Sequence, residues 1–166
     1  MPPELIYCAD GNARFAEIAI RHGFTYGAQL PNTVYHPPEF ADQNWKHPDF
    51  DGYMAALAEH RPRLATVLDW EHDDQLSEVL HWAKTAAQYV SQAVIIIPKT
   101  MGGITQLPQD VCGVPVRLGY SVPTSFAGTS LPIWQFQAWP HGVHLLGGGP
   151  MAARKPGQYD ISAYLD

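Results

Sequence analysis

Short apolar runs alternate with segments of helical period along most of the chain. Residues 5–9, LIYCA, read as a strand that stops at Asp10-Gly11-Asn12. Phe15, Ile18, Ala19 and His22 then recur at helical spacing, with Asn12 as the candidate N-cap. A second strand over 24–30 (FTYGAQL) leads into PNTVYHPPEFADQNWKHPDF, which has neither helical nor strand period and is expected to be a long surface loop. A helix is expected over 51–60 and a strand over 63–70, RLATVLDW. The clearest helix follows: Leu76, Val79, Leu80, Ala83, Ala87 and Val90 make one apolar stripe, with Asp73 or Asp74 as its cap. The continuous apolar run at 93–98, AVIIIP, has the character of a strand covered on both faces. Further strands are expected at 114–122 and 143–148, separated by a short helix at 132–139 that Ser130 would cap.

About six strand–helix alternations argue for a mainly parallel sheet with right-handed crossovers. An eight-unit barrel usually takes about 250 residues, so 166 residues predict either a doubly wound sheet or an incomplete (β/α) barrel. The length suits one domain spanning 1–166, large enough to bury a core without staples. Two cysteines exclude a disulfide-dense scaffold and a four-cysteine zinc module, and a reducing, cytoplasmic setting is the expectation. Hydrophobic residues at 46% argue against disorder, while no apolar run is long enough for a membrane span. No secretion signal is read at the start. The net charge of −6 is uneven: residues 1–83 hold five Lys/Arg against thirteen Asp/Glu, residues 84–166 five against three. This argues against a generally basic nucleic-acid surface and leaves room for a local polyanion-binding face in the second half.

In parallel α/β folds, ligands collect at the carboxyl ends of the strands. Those ends carry Asp10, Gln29, Asp69-Trp70-Glu71, Lys99, Tyr120 and Gly147-Gly148-Gly149. Asp10 and Asp69 would meet in one cleft, where neighbouring carboxylates push their pKa values apart and divide acid and base roles. Each also has a purely structural reading, a turn and cap for Asp10 and a helix-start acid for Asp69. Lys99 suits an anionic group or a solvated strand end. Trp70 is the tryptophan best placed to stack on a base, the other four reading as core or loop packing. Eight histidines show no ligand spacing, so no metal is expected. Cys8 is expected to be buried in its strand, and no G-x-S-x-G, G-x-G-x-x-G or Walker pattern occurs, so no cofactor is expected either.

The segments YCADGNARF, ATVLDWE, IIIPK, VRLGYSVPTSFAGT and VHLLGGGP, in this order over nearly the whole chain, resemble an uncharacterised group of bacterial and phage proteins. That group is in turn similar to the queuine/tRNA-guanine transglycosylase superfamily, including phage enzymes that insert deazaguanines into DNA. The resemblance implies an incomplete TIM-like barrel, cut short at its C-terminus, acting on guanine or 7-deazaguanine in DNA or tRNA. It places Asp10 at the acid/base position, Asp69 at the base-recognising position and Asp166 at the nucleophile position. It places Tyr120 on the strand presenting the substrate-binding backbone, and Gly147, Gly148 and Gly149 at the late glycine turn. Trp70, Glu71 and Lys99 complete the expected binding set. The chain departs from the pattern in lacking G-G-L-A-V-G and the three-cysteine, one-histidine zinc site, and in carrying Pro156-Gly157 before Asp166. A non-catalytic nucleotide- or protein-binding remnant of such a barrel is the alternative expectation, and a generic hydrolase the third. A barrel missing staves exposes apolar edges, so homodimerisation or capping by a partner is expected.

Overall fold

The computed structural model describes residues 4–9, 12–122 and 128–147. Its strands are β1 (Ile6–Ala9), β2 (Thr25–Leu30), β3 (Phe40–Gln43), β4 (Leu64–Thr66), β5 (Ala93–Ile96), β6 (Asp110–Val111), β7 (Val114–Ser121) and β8 (Val143–Leu146). All but β6 run parallel, each paired with the preceding parallel strand, from β1 through β5 to β7 and β8. The short β6 pairs antiparallel with the start of β7 through a two-residue turn. Cys112 (φ 52°) and Gly113 (φ 78°) give that turn the left-handed backbone a tight hairpin needs.

Helices α1 (Ala13–Arg21), α2 (Phe50–His60) and α3 (Leu76–Ala86) fill three of the crossovers. Asn12 caps α1 as expected, its side chain accepting from the Arg14 and Phe15 amides, and Asp49 caps α2 through the Gly52 amide. Before α3, a single 3-10 turn (Asp73–Gln75) takes the place of an aspartate cap: the Gln75 carboxamide accepts from the Glu71 and His72 amides, and the Asp73 carboxylate accepts from the Thr100 hydroxyl. Val79, Ala83, Ala87 and Val90 of the expected stripe are buried. The later short helix is a 3-10 turn, Ile133–Phe136, preceded by Pro132 with no Ser130 cap.

Consecutive strand order bends the sheet into a half-barrel with two unlike faces. Alternate residues point outward to a large core shared with the helices, including Tyr26, Ala28, Ala41, Ala65, Val94, Ile96, Val116, Leu118 and Tyr120. The other set points inward: Phe40, Leu64, Ala93, Ile95 and Ile97, with Ile6 and Leu146 packed against them. The curl brings β8 across to β3, where the His144 ring stacks on Phe40 with centroids 4.9 Å apart. Glycines make the tight interior possible. A Cβ on Gly27 would stand 2.7 Å from the Phe40 ring, and one on Gly119 2.6 Å from the Ile97 side chain. Among the described residues no ladder closes β1 onto β8.

The sequence misplaces two features here. The stretch read as a surface loop contains β3, an inner strand between β2 and β4. Only four residues long, it offers no visible period, and Pro37-Pro38 and the acids around it suggest solvent. Cys8 is exposed, because the half-barrel is open beside β1.

At the amino ends of β1 to β5 the half-barrel is tied by polar groups. Arg63 pairs with Glu4 and, at 2.5 Å, with Glu39, and donates to Gln92 at 2.8 Å, while Thr25 donates to Glu4 at 2.7 Å.

Candidate functional site at the mouth of the half-barrel

The carboxyl ends of the same strands open into two adjoining cavities. One, about 230 Å³, is lined by residues that include Asp42, Gln43, Trp45, Asp69, Lys99, Ser121 and Gly147. The other, about 310 Å³, lies toward the open edge and shares Asp42, Leu146 and Gly147, adding Cys8, Gln29 and His144.

Backbone pairing beyond β4 and β5 sets the central ion pair. The Trp70 amide donates to the Ile97 carbonyl at 3.0 Å, and the Lys99 amide donates to the Trp70 carbonyl at 2.9 Å. This clamps the two strand ends together, and Lys99 Nζ reaches Asp69 Oδ2 at 2.6 Å and Glu71 Oε1 at 3.2 Å. The Lys99 and Asp69 side chains retain only 12% and 14% of their exposure, so little solvent screens this contact. Burial opposes charging Lys99, but Asp69 and Glu71 hold its ammonium above the usual lysine range. Burial keeps Asp69 above the ordinary carboxylate range, with Lys99 pulling it down and Glu71 pushing it up.

Asp42 sits in a different setting. Its Oδ1 accepts from the Thr66 hydroxyl at 2.8 Å, and that hydroxyl accepts from the Gln43 amide at 2.9 Å. Tyr53, buried beneath, fixes the backbone by donating to the Thr66 carbonyl at 2.7 Å. Burial raises the Asp42 carboxyl to about 6; the Thr66 hydrogen bond opposes this and the Asp69 charge adds to it. One cavity thus holds a carboxylate paired with an ammonium and a carboxyl that titrates near neutrality, the division that acid and base roles require. Deeper in the half-barrel, burial and Arg117 push His144 down to about 4, with Glu4 opposing, so its ring is neutral.

Of the residues expected from sequence, Asp69, Lys99 and Gly147 meet at this mouth, and Glu71 stands at its rim on Lys99. Gly147 leaves β8 with φ 73°, a turn that favours glycine. Trp70 and Tyr120 do not line it. Trp70 is fully buried, with Gly103 against its ring and its indole N–H donated to the His72 carbonyl at 2.8 Å. Tyr120 is fully buried edge-on to Phe136. Both are neighbours in sequence of mouth residues, Asp69 and Ser121, and successive residues of an extended chain point to opposite faces. Among the described residues, the exposed aromatic that lines the mouth is Trp45, which the sequence reads as packing. Asp10, Gly148, Gly149 and Asp166 lie outside the described residues.

Asp42 is the residue that sequence reasoning missed. The signal was available in Phe40-Ala41-Asp42-Gln43, an apolar pair followed by two polar residues, but it required reading β3 as a strand. Among the described residues, no group of three or more His, Cys, Asp or Glu side chains is placed to hold a metal ion, and no helix is long and apolar enough to cross a membrane.

A family model described as a family of unknown function (DUF6610) matches residues 17–165. No curated protein and no solved structure matches the chain at the level that marks a relative.

Proposed function

We propose that this chain, which belongs to the DUF6610 family, binds a nucleobase at the mouth of its half-barrel and exchanges or cleaves the N-glycosidic bond that holds it. The observation that carries this reading is the pair Asp42 and Asp69, two carboxyl groups in unlike electrostatic settings on one cavity. Consecutive parallel strands with their ligand cavity at the carboxyl ends support a TIM-like ancestry for the half-barrel.

Asp69, held by Lys99, accepts hydrogen bonds from the N–H edge of the base. Asp42 donates a proton to the departing base nitrogen as the bond to the anomeric carbon breaks, and takes one back from the incoming base or water. A second carboxylate attacks the anomeric carbon and carries the sugar as a glycosyl ester until that second step. Asp10 and Asp166 are the candidates for this attack, with Asp10 also the acid/base position that the resemblance implies. Guanine and 7-deazaguanine, in DNA or tRNA, are the proposed substrates.

The test is incorporation of labelled guanine into DNA and tRNA by wild type and by Asp10→Asn, Asp42→Asn and Asp69→Asn. Exchange by wild type that falls about 100-fold or more in the Asp42 and Asp69 variants supports catalysis. Guanine binding without exchange supports the non-catalytic remnant, and neither binding nor exchange rejects the nucleobase reading.

We propose a second copy of the chain as the partner at the open edge. There β1 has one side unpaired among the described residues, and α1 buries only Ala16, leaving Phe15 and Ile18 exposed. A monomer by light scattering at high concentration contradicts this.

A further inference from the structure

In the reaction proposed above the base lies with Asp69, and Asp42 meets the nitrogen of the glycosidic bond. The sugar then extends from Asp42, away from Asp69 and Lys99. Two described cavities adjoin the one that holds Asp69. Only the larger, about 310 Å³, is also lined by Asp42; the other, about 210 Å³, meets it through Gln43 alone.

Gln29 lines this larger cavity. On the parallel β2–β3 ladder it is the partner of Asp42, two residues beyond the pair Gly27 and Phe40. Phe40 points into the half-barrel, and a Cβ on Gly27 would meet its ring, so one pleat further on Gln29 and Asp42 point inward too. The Gln29 carboxamide is oriented by Asn32, whose Nδ2 donates to Gln29 Oε1 at 3.1 Å. Among the described residues no hydrogen bond engages its N–H groups, which leaves a donor on the cavity wall beside Asp42.

The other walls are uncharged: the Cys8 thiol, the His144 ring stacked on Phe40, and Ile6. Burial and Arg117 keep the His144 ring neutral. No Lys or Arg lines this cavity among the described residues, so a phosphate finds no counter-charge there, and the Asp42 carboxylate repels it. An uncharged, hydroxylated ring suits a wall of a few polar groups set among apolar ones.

We propose that the larger cavity is the sugar subsite, taking the uncharged furanose of a nucleoside, with Gln29 positioning it by donating to a sugar oxygen. This rests on the nucleobase reading above and adds to it the cavity and the residue that hold the second half of the substrate.

The test is titration calorimetry of guanine and of guanosine against the full chain as wild type, Gln29→Leu and Cys8→Leu. Wild type is expected to bind guanosine about tenfold more tightly than guanine, because the sugar adds contacts that the free base lacks. Gln29→Leu removes the donor and is expected to cut that ratio about fivefold. Cys8→Leu adds bulk at the cavity wall and is expected to cut it about tenfold. The ratio compares two ligands on one protein, so a lowered folded fraction leaves it unchanged. Guanosine bound no more tightly than guanine by wild type, or a ratio that either variant leaves at the wild-type value, overturns the proposal while the nucleobase reading stands. If wild type binds neither ligand, that reading falls and the proposal falls with it.

Discussion

The two ends of the half-barrel use the same kinds of side chain in opposite ways. At the amino ends of the strands, Arg63 is shared among Glu4, Glu39 and Gln92, with each carboxylate committed to a partner and a third or more of each charged side chain exposed. At the carboxyl ends, Lys99 and Asp69 pair almost out of solvent, and Asp42 lines the same cavity with a raised pKa. The first end is a saturated tie between strand starts, whose energy water and salt largely screen. The second holds titratable groups in a poorly screened cavity. The proposed ligand chemistry is assigned to the second on that ground.

The largest expected effect comes from breaking the screened-out pair. Lys99→Met leaves the Asp69 carboxylate in a nearly closed site beside Glu71, and is expected to cost about 3 kcal/mol at pH 7 in urea unfolding. The loss should persist in 1 M salt and shrink as the pH falls and Asp69, held above the ordinary carboxylate range by burial, takes up a proton. A loss that vanishes in salt would show that the mouth is as solvated as the amino end.

Asp42 gives the next effect, and its sign follows from the direction of its shift. Its carboxyl moves from the ordinary 3.8 to about 6 on folding, so between those pH values the folded chain holds a proton that the unfolded chain has released. Its contribution to stability is complete below about pH 4 and is lost as pH rises through 6. Asp42→Asn, which can still accept from Thr66, escapes that loss. It is expected to become more stable than wild type across this window, by about 2–3 kcal/mol at pH 7. A constant difference between the two proteins from pH 4 to 8 would place Asp42 in ordinary solvent.

The smallest effect belongs to the amino end. Arg63→Met is expected to cost about 1 kcal/mol at low salt and much less in 1 M salt, with guanine binding unaltered. A cost as large as that of Lys99→Met would abolish the distinction between the ends.

Much of the fold was legible because each βα unit carries its own pattern: the strand at 93–98, the stripe from Leu76 to Val90 and the Asn12 cap all read locally. What escaped was set by tertiary context. β3 is short, two apolar residues followed by two polar ones, and its neighbours β2 and β4 supply the pairing that makes it a strand. Asp42, Gln43 and Trp45 were lost with it. Asp69, Lys99 and Gly147, read from strand ends that are visible in sequence, line the mouth. Trp70 and Tyr120, read the same way, are buried away from it, because a strand end names a neighbourhood and only the pleat decides which of two adjacent residues faces the cavity.

The most direct test of the contrast between the ends is side-chain carboxyl ¹³C NMR of the folded protein during titration with guanosine. The Asp42 and Asp69 signals are expected to move together on adding guanosine, with the Asp42 pH midpoint displaced from about 6, while Glu4 and Glu39 stay fixed. Movement of Glu4 and Glu39 with Asp42 and Asp69 unmoved would contradict it.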